Sequence, residues 1–298
     1  MEEVWKKYFD PLVLDRLGAV RLVSRRPPGG MLLGSHRSPR RGEAVEFSEH
    51  RPYAPGDDLR QLDWKVFART DKYYLRQRED ETTQVCHLMV DCSGSMAYQG
   101  PHVAVSKLTY AMQLAASLAF IVVEHHDWVS LTTLGTQVTQ HVAAGCGSGH
   151  LIGLAAAMDR IVPDAKVDLP VRWSEAIHGI ARTGLVILIS DLFDDLPPLQ
   201  QLLRALHHEG REVIVIQVVD PTEEDFDFSF AGSIEFRGFE GEAPRVFESR
   251  SIARAYREEF SRHRQQLAAI CAENETLFWT FRSDDPLGVK LPLLIAGS

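Results

Sequence analysis

From position 84 onward, runs of apolar residues alternate between two spacings. "VCHLMVD", "WVSLTTLG", "LVILIS" and "EVIVIQVVD" are short and rich in β-branched residues, which predicts strands. "LVILIS" (185–190) is unbroken, as in a strand covered on both faces. Between these runs the apolar positions recur at helical spacing. Helices are predicted over roughly 103–124, in "HLIGLAAAMDRIV", in "RWSEAIHGIA", and between Asp194 or Asp195 and Gly210, with Leu199, Leu202, Leu203 and Leu206 as the inner stripe. "QVTQHVAA" reads as a hairpin partner of "WVSLTTLG". A long helix carries Ile252, Tyr256, Phe260, Leu267 and Ile270 on one face, and "TLFWTFRS" closes the pattern as a strand. Residues 221–248 read as irregular, with a hairpin around "SIEFRGFEGEAPRVF". This alternation predicts an α/β fold: a mostly parallel sheet with helices on both faces.

The first 83 residues follow another pattern. Val13, Leu17, Val20 and Leu22 predict one helix ended by "PPGG"; "AVEFSEHRPY" and "YYLRQRED" each suit a short strand. Apolar residues are too few here for a separate core, so this Arg/Asp-rich region is expected to pack on the rest. The expected division is 1–83 and 84–298.

Charge sharpens the division. Residues 1–80 hold 16 Lys+Arg against 13 Asp+Glu, a balance of +3, and the remainder holds 16 against 28, a balance of −12. The basic half interleaves both signs rather than presenting the one-sign stripe of a nucleic-acid binder, so no nucleic-acid partner is expected. The longest apolar run, Leu108 to Val123, contains Thr109, Gln113 and Ser117 and reads as a buried helix, not a membrane span. The four cysteines form no CxxC pair or zinc spacing. With no apolar leader at the start, the expected location is the cytoplasm.

Candidate chemistry gathers where strands end. "VDCSGSM" places Asp91, Ser93 and Ser95 at alternate positions, and "LVILISD" ends in Asp191. Open α/β sheets bind ligands outside the carboxyl ends of their strands. These four residues offer only oxygen, which suits Mg²⁺ or Mn²⁺. The competing reading makes Ser93 and Ser95 helix caps and Asp91 a bridge to loop amides. A metal-dependent, phosphoesterase-like hydrolase with Asp91 as nucleophile or ligand is the alternative activity; no Lys or Arg stands beside the turn in the sequence to help it. His87 lies mid-strand and reads as a core or edge residue. "GCGSGH" (145–150) lacks the ending of a phosphate-binding loop and reads as a turn.

"DCSGSM" before a helix and "ISD" at a later strand end resemble the von Willebrand factor A domain. That resemblance implies a metal-ion-dependent adhesion site of Asp91, Ser93, Ser95 and Asp191, with a Thr from a second loop. Val171 stands at the Thr position, in "VRWSEAI". Upstream, "RRGEAVEFSEHRPYAPGDDLRQLDWKVFART" resembles the signature RGxxxEFxxxRxYxxGDDxRxxDWxxxAR of a bacterial family known as domain-of-unknown-function family fifty-eight. Arg41, Gly42, Glu46, Phe47, Arg51, Tyr53, Gly56, Asp57, Asp58, Arg60, Asp63, Trp64, Ala68 and Arg69 stand as that pattern expects; from Arg51 onward they form a possible docking face. The resemblance implies a non-enzymatic protein-interaction module that works with a MoxR-type AAA+ ATPase on protein clients. The transmembrane pair of longer members is not seen in the sequence.

Overall fold

The computed structural model describes residues 2–18, 46–52, 64–70, 72–79, 84–135, 138–163, 169–178, 180, 184–193, 195–227, 233–236 and 245–296. In chain order the elements are α1 (Glu2–Tyr8), α2 (Pro11–Leu17), β1 (Glu46–Pro52), α3 (Trp64–Thr70), β2 (Tyr74–Glu79), β3 (Val85–Asp91), α4 (Lys107–Glu124), β4 (Trp128–Leu134), β5 (Val138–Gly145), α5 (Ser148–Met158), α6 (Leu169–His178), β6 (Leu185–Ser190), α7 (Leu196–His208), β7 (Glu212–Val219), α8 (Pro221–Asp225), β8 (Ser233–Phe236), β9 (Arg245–Glu248), α9 (Ser249–Glu273), β10 (Leu277–Arg282) and α10 (Leu287–Ala296). A 3-10 turn, Gly94–Ala97, follows β3.

Six strands form the central sheet in the order β10-β7-β6-β3-β4-β5. Every neighbouring pair is parallel except β4 with β5, which run antiparallel at one edge. Numbered from β3 in chain order, this is the doubly wound order 3-2-1-4-5-6. The chain starts in the middle, winds out to β5, returns to β6, and winds out the other way to β10. The α/β expectation and its mostly parallel sheet are met.

Side chains of the inner strands alternate between two apolar layers. Leu88, Val90, Ile187, Ile189, Ile214, Ile216 and Val218 join the layer of α4, α5 and α10. Met89, Val186, Leu188, Val213 and Val215 join the layer of α6, α7 and α9. Two covered faces explain why these strands lack polar alternation. α4 is long and apolar enough to cross a membrane by length and composition, but its side chains from Leu108 to Val123 are largely buried among the strands and helices of the first layer.

Three elements differ from the sequence expectation. The single helix expected near the start is two: Asp10 interrupts it, its Oδ1 accepting the Leu12 N–H at 2.9 Å, and Pro11 opens α2. Val20 and Leu22 lie outside the described residues. Tyr8, Phe9 and Leu17 sit in the first apolar layer, so the N-terminal helices share the core of the sheet. The chain does not close on a strand: α10 follows β10 and packs against α2, with Pro292 inside it. The segment after β7 contains α8, capped by Asp220, whose Oδ1 accepts the Thr222 N–H at 2.8 Å. The hairpin at "SIEFRGFEGEAPRVF" is present as the β8–β9 antiparallel pair, and β1 and β2 form another.

Candidate functional site

β3 and β6 are hydrogen-bonded neighbours, and both chain directions of the sheet start from them. Their carboxyl ends therefore flank the point where the winding reverses, the place such sheets leave uncovered. Asp91 ends β3 and Asp191 follows β6. They are buried, at 0 % and 2 % exposure.

Asp91 is held from two sides. Its Oδ1 accepts the backbone N–H of Ser93 at 2.8 Å, and its Oδ2 accepts the hydroxyl of Ser190 at 2.6 Å. The Ser190 oxygen accepts in turn from the Leu192 N–H at 3.0 Å, tying the loop after β6 to the loop after β3. Burial raises the Asp91 pKa and the nearby Asp191 charge raises it further, against the lowering hydrogen bonds of Ser190 and Ser93. The two carboxylates are thus close enough to repel.

Ser93 and Ser95 do not cap α4. Ser106 does, its hydroxyl accepting from the Thr109 N–H at 3.2 Å. Ser93 precedes the 3-10 turn without a side-chain cap bond, and the Ser93 and Ser95 hydroxyls lie 3.0 Å from each other. The capping explanation covers Asp91 through its bond to the Ser93 amide, while the two hydroxyls bond each other rather than a helix end. The loop beyond is pinned by Gly100, whose N–H donates to Asp220 Oδ2 at 2.9 Å. A Cβ at 100 would stand 2.4 Å from Asp220 Oδ1, so the approach requires glycine.

A cation also stands at the site, contrary to the sequence reading that found none beside the turn. Lys107 opens α4, and its ammonium lies 2.9 Å from Asp191 Oδ2 and 2.9 Å from Glu223 Oε2. Its side chain has no exposed surface. Burial pulls its pKa down, but Asp191 and Glu223 outweigh that and hold it up, so Lys107 is charged. Glu223 is raised by burial and lowered by Lys107, with a net upward shift. Gln217 donates to the Asp191 carbonyl at 3.1 Å, and its own Oε1 is buried without a hydrogen-bond partner among the described residues. Phe193, 41 % exposed, forms the rim, with Lys107 5.2 Å from its ring centre. Behind it, the ring Nε2 of His263 on α9 lies 2.7 Å from the Leu192 carbonyl.

The oxygen donors present are those of Asp91, Ser93, Ser95 and Asp191, a set suited to a hard divalent ion. Val171 supplies no oxygen and lies on α6, 45 % exposed. Among the described residues no group of three His, Cys, Asp or Glu side chains is placed to hold a metal.

A family model described as "Protein of unknown function DUF58" matches residues 49–268. The chain belongs to this family. A DUF58 chain is similar to the uncharacterized protein Rv1480 of Mycobacterium tuberculosis, at 27 % identity over 87 % of this chain and 81 % of the relative, and to Mb1516 of Mycobacterium bovis at the same identity and coverage. Solved structures similar to it include BatB of Bacteroides thetaiotaomicron (16 % identity, 72 % of this chain and 100 % of that one, TM-score 0.46). An aerotolerance-related membrane protein of Bacteroides fragilis (16 %, 72 % and 97 %, 0.47) and the SpRpn10 VWA domain (11 %, 70 % and 94 %, 0.42) are similar too. The von Willebrand factor A-like architecture of this DUF58 chain rests on its own strand order and on the meeting of "DCSGSM" with "ISD" at neighbouring strand ends.

Of the expected site residues, the fold brings Asp91, Ser93, Ser95 and Asp191 to one crest. The family-signature residues Tyr53, Gly56, Asp57, Asp58, Arg60 and Asp63 lie outside the described residues. Arg51 is in β1 opposite Leu75, Trp64 opens α3, and Arg69 is exposed in its last turn. Lys107, Ser190, Gln217 and Glu223 were missed. One signal was legible: a lysine at the first position of an apolar helix opposes the helix dipole, so something else must favour it there. His87 is a core residue, 3 % exposed, with Nδ1 2.7 Å from the Ser130 hydroxyl.

Proposed function

We propose that this DUF58 chain is a protein-interaction module whose docking face is the crest over β3 and β6. The observation that carries this reading is the pair of Ser93 and Ser95 hydroxyls, positioned beside Asp91 and unused as caps. Asp91, Ser93, Ser95 and Asp191 would hold Mg²⁺ or Mn²⁺. The ion would supply positive charge and an open coordination position for a partner's Asp or Glu. The chain's own residues fix the donors: the Ser93 amide and Ser190 hydroxyl orient Asp91, and Gln217 steadies the Asp191 backbone. When all are ionised, Asp91, Asp191 and Glu223 outnumber Lys107 by two negative charges, which a divalent ion offsets.

The partner in this reading is a MoxR-type AAA+ ATPase, met in the cytoplasm, with the pair assisting assembly or activation of protein clients. A phosphoesterase with Asp91 as nucleophile is disfavoured, because a nucleophilic oxygen must itself reach the substrate's phosphorus and this carboxylate has no exposure, whereas it could serve an ion through a bound water. The test is affinity capture from native lysate in MgCl₂ and, in parallel, in EDTA, using the wild type and an Asp91→Asn/Ser93→Ala double variant. An AAA+ ATPase held only by the wild type in MgCl₂ is the expected result. Capture by all samples keeps the partner and removes the metal; capture by none overturns the partnership.

A further inference from the structure

The metal reading leaves Lys107 unexplained. A buried ammonium at the first position of α4 works against the helix dipole and against burial. What holds it is a pair of carboxylates from two other loops, Asp191 after β6 and Glu223 on α8. One of the two, Asp191, is also a donor for the divalent ion. The other, on α8, meets the ammonium with both oxygens, at 2.9 and 3.1 Å. The ring of Phe193 flanks the same ammonium.

Resting on the metal reading above, we propose that Lys107 is a resident rival of the divalent ion: its ammonium neutralises Asp191 when no ion is bound, and Glu223 retains the ammonium when an ion takes Asp191. The crest then keeps a cation on Asp191 in either state. At Asp191, metal uptake becomes the replacement of one cation by another rather than the filling of an unpaired carboxylate, so the metal-free protein stays folded and the affinity for the ion is lowered. Glu223 sets the balance, since a stronger hold on the ammonium frees Asp191.

The test is isothermal titration of MgCl₂ and MnCl₂ into the full chain without any partner, paired with the shift in melting temperature on adding each ion. Lys107→Met is expected to bind about tenfold tighter or more than wild type, because one nearby positive charge is gone. Glu223→Gln is expected to bind more weakly, its ammonium left on Asp191 alone. Lys7→Met, which removes a distant charge paired with Asp159, is the control and should change affinity by less than about twofold. Adding Asp91→Asn to Lys107→Met should abolish binding. If Lys107→Met folds only when MgCl₂ is present, that rescue supports the proposal, and Glu223→Gln still tests it independently. Binding to wild type with no gain in Lys107→Met and no loss in Glu223→Gln overturns the rivalry and leaves the metal reading standing. Absence of heat and melting shift in both wild type and Lys107→Met at millimolar ion overturns the metal reading and this inference with it.

Discussion

The two ends of the central sheet both bury a cation, and they treat it differently. At the amino end, Arg211 precedes β7, 4 % exposed, with its guanidinium 3.2 Å from Glu209 and 3.4 Å from the Ile180 carbonyl. Its acid partner is two residues away, and it lines a cavity of about 330 Å³ with His207, Asn274 and Thr276. At the carboxyl end, Lys107 draws its partners from positions 84 and 116 residues distant. At one end an acid close in sequence meets the cation as the chain turns. The other end is assembled from four segments and holds more negative charge than its lysine cancels. The first arrangement is explained by closing a loop; the second requires loops to be held together, which is how a binding site is built.

The sharpest way to break the contrast is Asp191→Ala. Removing one partner of a buried pair leaves the ammonium with Glu223 alone, and a loss of roughly 3–5 kcal/mol is expected in urea unfolding. Arg211→Met, whose acid partner is 44 % exposed, should cost clearly less. If the two losses are equal, the ends are not different in kind.

Acid sharpens it further. Burial first, then the Arg211 and His141 charges, push the His87 pKa down to about 4, below the ordinary 6.5. The unfolded chain therefore takes up the proton earlier, and stability is lost as pH falls from about 6.5 towards 4, by on the order of 3 kcal/mol in full. Asp91 at the other end has its pKa raised, so its contribution runs the opposite way: stability is greater at low pH and falls as pH rises through its titration. In unfolding measured between about pH 7 and pH 5, His87→Gln should reduce the acid loss and Asp91→Asn should enlarge it.

Two smaller effects complete the set. Gly184, with φ +134°, faces the backbone of β3 at the amino end; a Cβ there would meet the Val85 carbonyl oxygen at 2.3 Å. Gly184→Ala should cost about 1–3 kcal/mol without altering Mg²⁺ response. Ser190→Ala removes the hydroxyl that serves both Asp91 and the Leu192 amide. A loss of about 1–2 kcal/mol is expected, together with a weaker melting shift on adding Mg²⁺.

The inner strands were legible because each is covered on both faces, so composition alone marked them. α7 was legible through Pro197, Pro198, its leucine stripe and Gly210, whose φ of +78° ends it. α10 was not, since Pro292 argues against a helix and its packing on α2 joins opposite ends of the chain. At the crest, Asp91, Ser93, Ser95 and Asp191 could be read because strand ends mark them. Glu223 could not, since nothing in "PTEED" distinguishes the acid that meets Lys107 from its neighbours until α8 is folded against the crest. Lys107 was readable only as a residue out of place.

The reversal of winding between β3 and β6 has an evolutionary side. The meeting of strand ends at the crest is created by the order in which strands are laid down, so substitutions in the surrounding loops change what lines it without moving it. A lineage can exchange the side chains of these loops, or recruit a lysine from the next helix, and still inherit the same meeting of strand ends to refurnish.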